Sequence, residues 1–238
     1  MRKTVLLASV WVVAFALIII NILINPGSFF TNGTLIVGWL FFSFQLTWSQ
    51  SERFYMQLKS IWFFVKNPDC IWNMQVELCG NFHYEMLGKI DSFFLSKYEE
   101  IKITKLSNCR VLYKINTLAF EIVIEENQIR FTIDDLEVSY RRSRTIIQKE
   151  IGGLLEGLSR IAKEDSSDYY LNINFKEYNP YFGFFVRRLN ANEINTFNVK
   201  FNIDNEKVSI NKKSIELHTD SLSKLTDLSK EYLSLSPR

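Results

Sequence analysis

Arg141, Arg142 and Arg144 stand where a strand pattern ends and a long helical pattern begins. The first turn of a helix leaves N–H groups unpaired at the positive end of its dipole, a setting that favours an anion. Guanidinium groups add planar, two-pronged donors suited to phosphate. A second basic pair, Arg187 and Arg188, closes the Phe-rich stretch 181–189, with Tyr178 and Tyr181 close by. Arginine beside aromatic rings can hold a nucleotide by phosphate contact and base stacking. These five arginines are therefore the candidate anion- and ligand-binding residues. The plainer alternative is a solvated charge run balanced by Glu137, Glu150 and Glu193.

Other chemistry is harder to assemble. The chain has no GxxxxGKS/T, GxGxxG, HExxH, GxSxG or CxxC motif. Its two histidines, His83 and His218, lie far apart without identifiable helpers for catalysis or zinc. Asp91 with Glu100-Ile101-Lys102 has the outline of a nuclease carboxylate set, but Asp91 falls on a helical pattern. Asp134-Asp135 reads as a turn between strands. No catalytic residue, metal site or cofactor is assigned, and an enzyme is not expected. A net charge of +2 over 238 residues argues against a general nucleic-acid binder, so double-stranded nucleic acid is not an expected partner.

Charge is unevenly distributed along the elements that would carry these groups. No Asp, Glu, Lys or Arg occurs from Thr4 to Ser51, and every acidic residue follows that stretch. Thr4–Leu23 is about the length a helix needs to cross roughly 30 Å of hydrocarbon. Asn25-Pro26-Gly27 breaks it, and a second, more aromatic run spans Gly33–Trp48. Two spans joined by a tight turn make a transmembrane hairpin over 1–50. A signal peptide is the rival reading, disfavoured by the length of the apolar run and the lack of an Ala-x-Ala-like site. Arg2 and Lys3 flank one end and Arg53, Lys59 and Lys66 the other, which places both termini in the cytoplasm of a bacterial inner membrane. Free Cys70, Cys79 and Cys109 agree with a reducing compartment. Gln45, polar within the second run, either faces another helix or reaches the headgroups.

Residues 51–68 read as a juxtamembrane amphipathic helix, with Phe54, Leu58 and Trp62 as membrane-interface residues. Packing on the soluble part, or simple continuation of the second span, are the alternatives. Residues 69–238 then alternate with period two, broken by helical stretches. The predicted class is α+β, an antiparallel sheet with covering helices. Strands at Leu136–Tyr140 and Phe182–Val186, a helix over 144–163 with a Thr145–Gln148 capping box, and a bulge near Asn211 are expected. Gly152, Gly153 and Gly157 inside that helix suggest close packing. Residues 118–163 and 196–235 share a β-β-β-α pattern, which suggests a duplicated unit in halves 69–165 and 166–238.

The layout, Thr4–Trp48 as hairpin followed by a β-rich domain, resembles the two-transmembrane effectors of bacterial antiphage defence systems. The resemblance is one of order and size, and no family motif in 69–238 carries a site across. It implies a cytoplasmic domain that senses a nucleotide second messenger or a protein partner. It also implies a hairpin that forms homo-oligomers and perturbs the lipid bilayer. The competing class is a scaffold subunit of a membrane complex of secretion or conjugation type.

Overall fold

The computed structural model describes residues 2–24, 29–177, 179, 181–182, 186, 193–203 and 206–234. The chain forms two compact units that divide between Lys59 and Ser60. In the first, the uncharged runs form α1 (Arg2–Ile24) and α2 (Phe29–Gln50). Trp11 Nε1 donates to Thr47 Oγ1 at 2.9 Å, which ties the middle of α1 to the last turns of α2. The Thr47 and Ser43 hydroxyls donate to the carbonyls of Ser43 and Trp39, so these groups are satisfied within the pair. Small Ala14 and Ser43 are buried, whereas Val12, Phe15, Ile20, Leu23, Leu35 and Phe41 point outward. One helix among the described residues is long and apolar enough to cross a membrane, α1 over Leu6–Leu23. The second run is helical, but Ser43, Gln45 and Thr47 dilute its apolar character. The Asn25-Pro26-Gly27 break lies outside the described residues.

A third helix, α3 (Glu52–Lys66), is separate from α2. Ten residues of straight helix rise about 15 Å, yet the rings of Phe44 and Phe54 are 5.5 Å apart. Trp48 and Tyr55 are 4.8 Å apart. The chain therefore bends at Ser51, whose Oγ accepts the Phe54 N–H and starts α3. Ser51 still donates its N–H to the Thr47 carbonyl and accepts the Tyr55 N–H, so the bend carries helical hydrogen bonds on both sides.

The second unit has the order β1 (Asp69–Cys79), α4 (Met86–Lys97), β2 (Ile101–Lys105), β3 (Arg110–Ile115), β4 (Leu118–Glu125), β5 (Gln128–Ser139), α5 (Tyr140–Thr145), a π-helical segment (Ile146–Ile151) and α6 (Gly152–Ala162). There follow β6 (Ser166–Phe175), β7 (Asn198–Ile203), β8 (Glu206–Asn211), β9 (Ser214–Thr219) and α7 (Leu222–Ser234). All nine strands pair antiparallel in one sheet, β2-β3-β4-β5-β1-β6-β9-β8-β7. The α+β class follows directly from the alternation. Trp72, Met74, Val76 and Leu78 of β1 face the same way as Phe131, Ile122, Leu171 and Leu217, and form the core with Ile90, Phe94, Leu155 and Leu225 of the helices. The order is matched about the β1–β6 pair, with β3-β4-β5 and β7-β8-β9 each followed by a helix. Short strands β2 and β7 form the edges and carry Lys102, Lys105 and Lys200.

Several local expectations give way to tertiary pairing. Leu136 and Val138 belong to β5, not to a separate strand. Trp72 pairs with Leu136 and Met74 with Ile133, so Asp134 and Asp135 together oppose Asn73 as a bulge instead of a turn. Asp135 takes φ 49°, and its N–H donates to Asn73 Oδ1 at 2.8 Å. The extra residue switches the buried set from odd to even numbers. Near Asn211 the parity break is instead the reversal between β8 and β9. The long helix starts at Tyr140, so Thr145 lies inside it and is no cap. Residues 181–182 are helical: Val186 N–H donates to the Phe182 carbonyl, and Asn179 Oδ1 accepts the Phe182 N–H. Phe184, in the same expected strand, lies outside the described residues.

Gly157 of α6 passes so close to α4 that a Cβ there would lie 2.2 Å from the Phe93 ring. Gly157→Ala should therefore destabilise by about 1–3 kcal/mol despite the better helix former, because overpacking outweighs propensity. Phe93→Ala should suppress part of that loss, read by chemical denaturation in detergent. Burial pushes the Cys70 thiol up to about 11, against a weaker opposing hydrogen bond from Trp72 Nε1. A raised folded value stabilises the neutral thiol, so this contribution is full below pH 9 and lost as pH climbs towards 11. Cys70→Ala should flatten the fall in stability over that interval.

Candidate functional site

Two surfaces carry the side chains of interest, the second half of α3 and the uncovered face of the sheet. The apolar period of α3 produces the stripe expected from Phe54, Leu58 and Trp62. Phe54 and Leu58 are half-buried, and Trp62 is 57% exposed. Exposure is shared with residues the stripe only partly includes: Ile61, Phe64 and Val65 also stand outward. Asn67, with φ 47°, ends α3 in the left-handed region, and Pro68 prevents continuation.

Arg141 holds this helix end. Its Nε donates to the Phe64 carbonyl at 2.7 Å, one of the acceptors left free in the last helical turn. Its guanidinium carbon lies 4.6 Å from the centre of the Phe64 ring. The Arg141 backbone N–H donates to Asn67 Oδ1, and that of Tyr140 to the Pro68 carbonyl. Tyr140 also meets Ser60 through its hydroxyl and Phe63 through its ring. Arg142 instead approaches Glu150 at 3.7 Å. Arg144 belongs to α5, and its side chain lies outside the described residues, as do Arg187 and Arg188. The structure thus brings Arg141 and Arg142 onto one helical turn with different partners. Gln45 is exposed on α2.

The sheet's second surface escaped the sequence reading. Helices cover the face with the apolar alternates, while polar alternates line the other. Thr132, Gln75, Tyr170, His218, Lys207 and Asn202 stand side by side on six consecutive strands. Each is exposed or half-buried. Next to this row, Arg130 pairs with Glu77 at 3.3 Å, and His218 Nε2 lies 2.8 Å from Asp168. Burial first, and then the Glu216 carboxylate, push the Tyr170 phenol above its usual range. Each polar alternate is visible in the sequence, but strand adjacency is not. Tyr170, Lys207 and His218 are neighbours only because β6, β9 and β8 are consecutive in the sheet.

No protein-family model matches the chain, and no curated protein matches it. Among solved structures, aspartate kinase of Clostridium acetobutylicum aligns with 71% of this chain and 34% of its own length, at 8% identity and a TM-score of 0.24. This chain spans about a third of that enzyme. A chain of the aspartokinase alpha and beta subunits aligns over 69% of this chain and 95% of its own, at 8% identity and a TM-score of 0.21. Scores this low carry no argument about fold or function.

Arg141→Ala should loosen the end of α3 without unfolding the sheet. The expected reading is faster amide hydrogen exchange over residues 60–67, with global stability changed by about 1 kcal/mol or less. Arg141→Lys should rescue little, because an ammonium lacks the planar guanidinium that covers the ring.

Proposed function

We propose that this chain is a membrane-anchored effector of the kind its layout resembles in bacterial antiphage defence. In this reading α1 and α2 cross the inner membrane as a hairpin, with both termini in the cytoplasm. The unit after Lys59 senses a ligand or protein partner, and the hairpin self-associates to perturb the bilayer. The observation that carries the reading is the outward display of apolar side chains by both helices, with only 6% of Leu6–Leu23 buried. A core helix of a water-soluble protein would bury that surface. Lipid is the solvent in which such a surface costs nothing to leave exposed.

Three further features support it. Trp11, Ser43 and Thr47 satisfy one another or nearby carbonyls inside the helix pair, whereas Asn21 Oδ1 and Trp39 Nε1 are buried there without a partner. Exposed Gln45 offers an amide that gains from meeting another copy in lipid. The bend at Ser51 and the exposed Ile61, Trp62, Phe64 and Val65 suit a helix resting at the headgroup level, with Lys59 and Lys66 as its cationic flanks. The breadth of the open sheet face favours a second reading, a scaffold subunit of a larger membrane complex.

Induced expression during phage challenge, followed with a membrane-potential dye, tests the proposal. Depolarisation is expected, and Gln45→Leu should weaken it. Absence of depolarisation under every trigger, with stable hetero-complexes recovered from native membrane, would favour the scaffold.

A further inference from the structure

The open face of the sheet is not flat. Between β6, β9, β8 and β7 lies a cavity of about 390 Å³, lined by Tyr170, His218, Glu216, Ser209, Lys207 and Lys200 among others. Its chemistry changes from one end to the other. On β6 and β9 it offers the face of a tyrosine, an imidazole and a carboxylate. On β8 and β7 it offers two lysines and Asn202. Among the described residues the side chains of Lys200 and Lys207 make no ion pair or hydrogen bond. Neighbouring strands are ~4.8 Å apart, so Lys207 stands two strands, roughly 10 Å, from Tyr170. That separation matches the reach from the ring of a mononucleotide to its phosphates.

Two polar atoms at this place lack partners. Ser209 Oγ, in the cavity wall, and Asn172 Oδ1, on the adjoining row of the same face, are buried without a hydrogen bond. They flank Glu216, which pairs across the strands with both residues. An unpaired buried polar group is costly, and a ligand that supplies its partner is correspondingly favoured.

We propose that this cavity binds a mononucleotide, with its base stacked on Tyr170 and its phosphates held by Lys200 and Lys207. Glu216 and Ser209 then meet the N–H and hydroxyl groups of base and ribose. His218, braced by Asp168, stands between Tyr170 and Lys207 and faces the ribose. The inference supplies a ligand class for the sensing role proposed above. Its test is binding, which is read independently of any effect on membrane potential.

Calorimetry on the full-length protein in detergent, titrated with ADP and GDP, is the direct experiment. One site per chain is expected, with adenosine alone and inorganic pyrophosphate alone each binding more weakly. Tyr170→Ala and Lys200→Glu/Lys207→Glu should each weaken binding about tenfold or more, with the circular dichroism spectrum unchanged. These side chains lie on the solvent side of the sheet, so the fold should survive their loss. Lys102→Ala, on β2 at the opposite margin of the sheet, should bind as the parent does. Absence of binding by either nucleotide, or binding indifferent to both variants, would overturn the proposal. Tighter binding of an oligouridylate than of any mononucleotide would also overturn it, in favour of single-stranded RNA.

Discussion

The second unit hangs on the antiparallel pairing of β1 with β6. These two strands register over ten residue pairs, Cys70 with Phe175 through Cys79 with Ser166. β5 docks on the far side of β1 and β9 on the far side of β6. Everything to either side is a local meander whose strands find their neighbours through short turns. The central pair alone joins residues about a hundred positions apart. Its side chains set the parity of the whole sheet: with Trp72, Met74, Val76 and Leu78 turned inward, each neighbouring strand must place its apolar alternates on the same side.

That parity fixes what the rest of the unit can be. Helices α4, α6 and α7 collect on the apolar side, where the aromatic cluster of Phe94, Tyr113, Phe120 and Phe131 packs with ring centres 5.0–5.5 Å apart. Buried Tyr113 turns its hydroxyl to Asp91 of α4 at 2.7 Å, which joins helix to sheet by a directed bond as well as by packing. Burial, followed by that carboxylate, raises the Tyr113 phenol well above its normal range. Asp91 is thus the acceptor that fastens α4 to the sheet. The opposite side of the sheet is left polar, and there adjacency alone gathers side chains from four separate strands into a cavity.

How much of this was legible follows from the range of each interaction. Period-two alternation located β1, β4, β6 and β7 because a half-buried strand writes its burial into its own sequence. The bulge at Asp134–Asp135 was misread because a two-against-one mismatch exists only relative to the partner strand and Asn73. The π segment Ile146–Ile151 hides for a related reason, since its five-residue hydrogen bonds leave the apolar stripe intact. Close packing at Gly157 was foreseen in kind, but only the structure names Phe93 as the obstacle. Arg141 was singled out as an anion ligand from its place at a helix start. Its actual neighbour, the carbonyl end of α3, is contributed from more than seventy residues away.

The two margins of the sheet are short and charged. β2 and β7 are five and six residues long and present lysines beside their unpaired backbone groups. Another strand approaching either margin would find little length to zip along and would have to strip water from ammonium groups. Copies crowded together can then stand shoulder to shoulder without fusing into a cross-β fibre. Any ordered clustering has to be dictated elsewhere in the molecule.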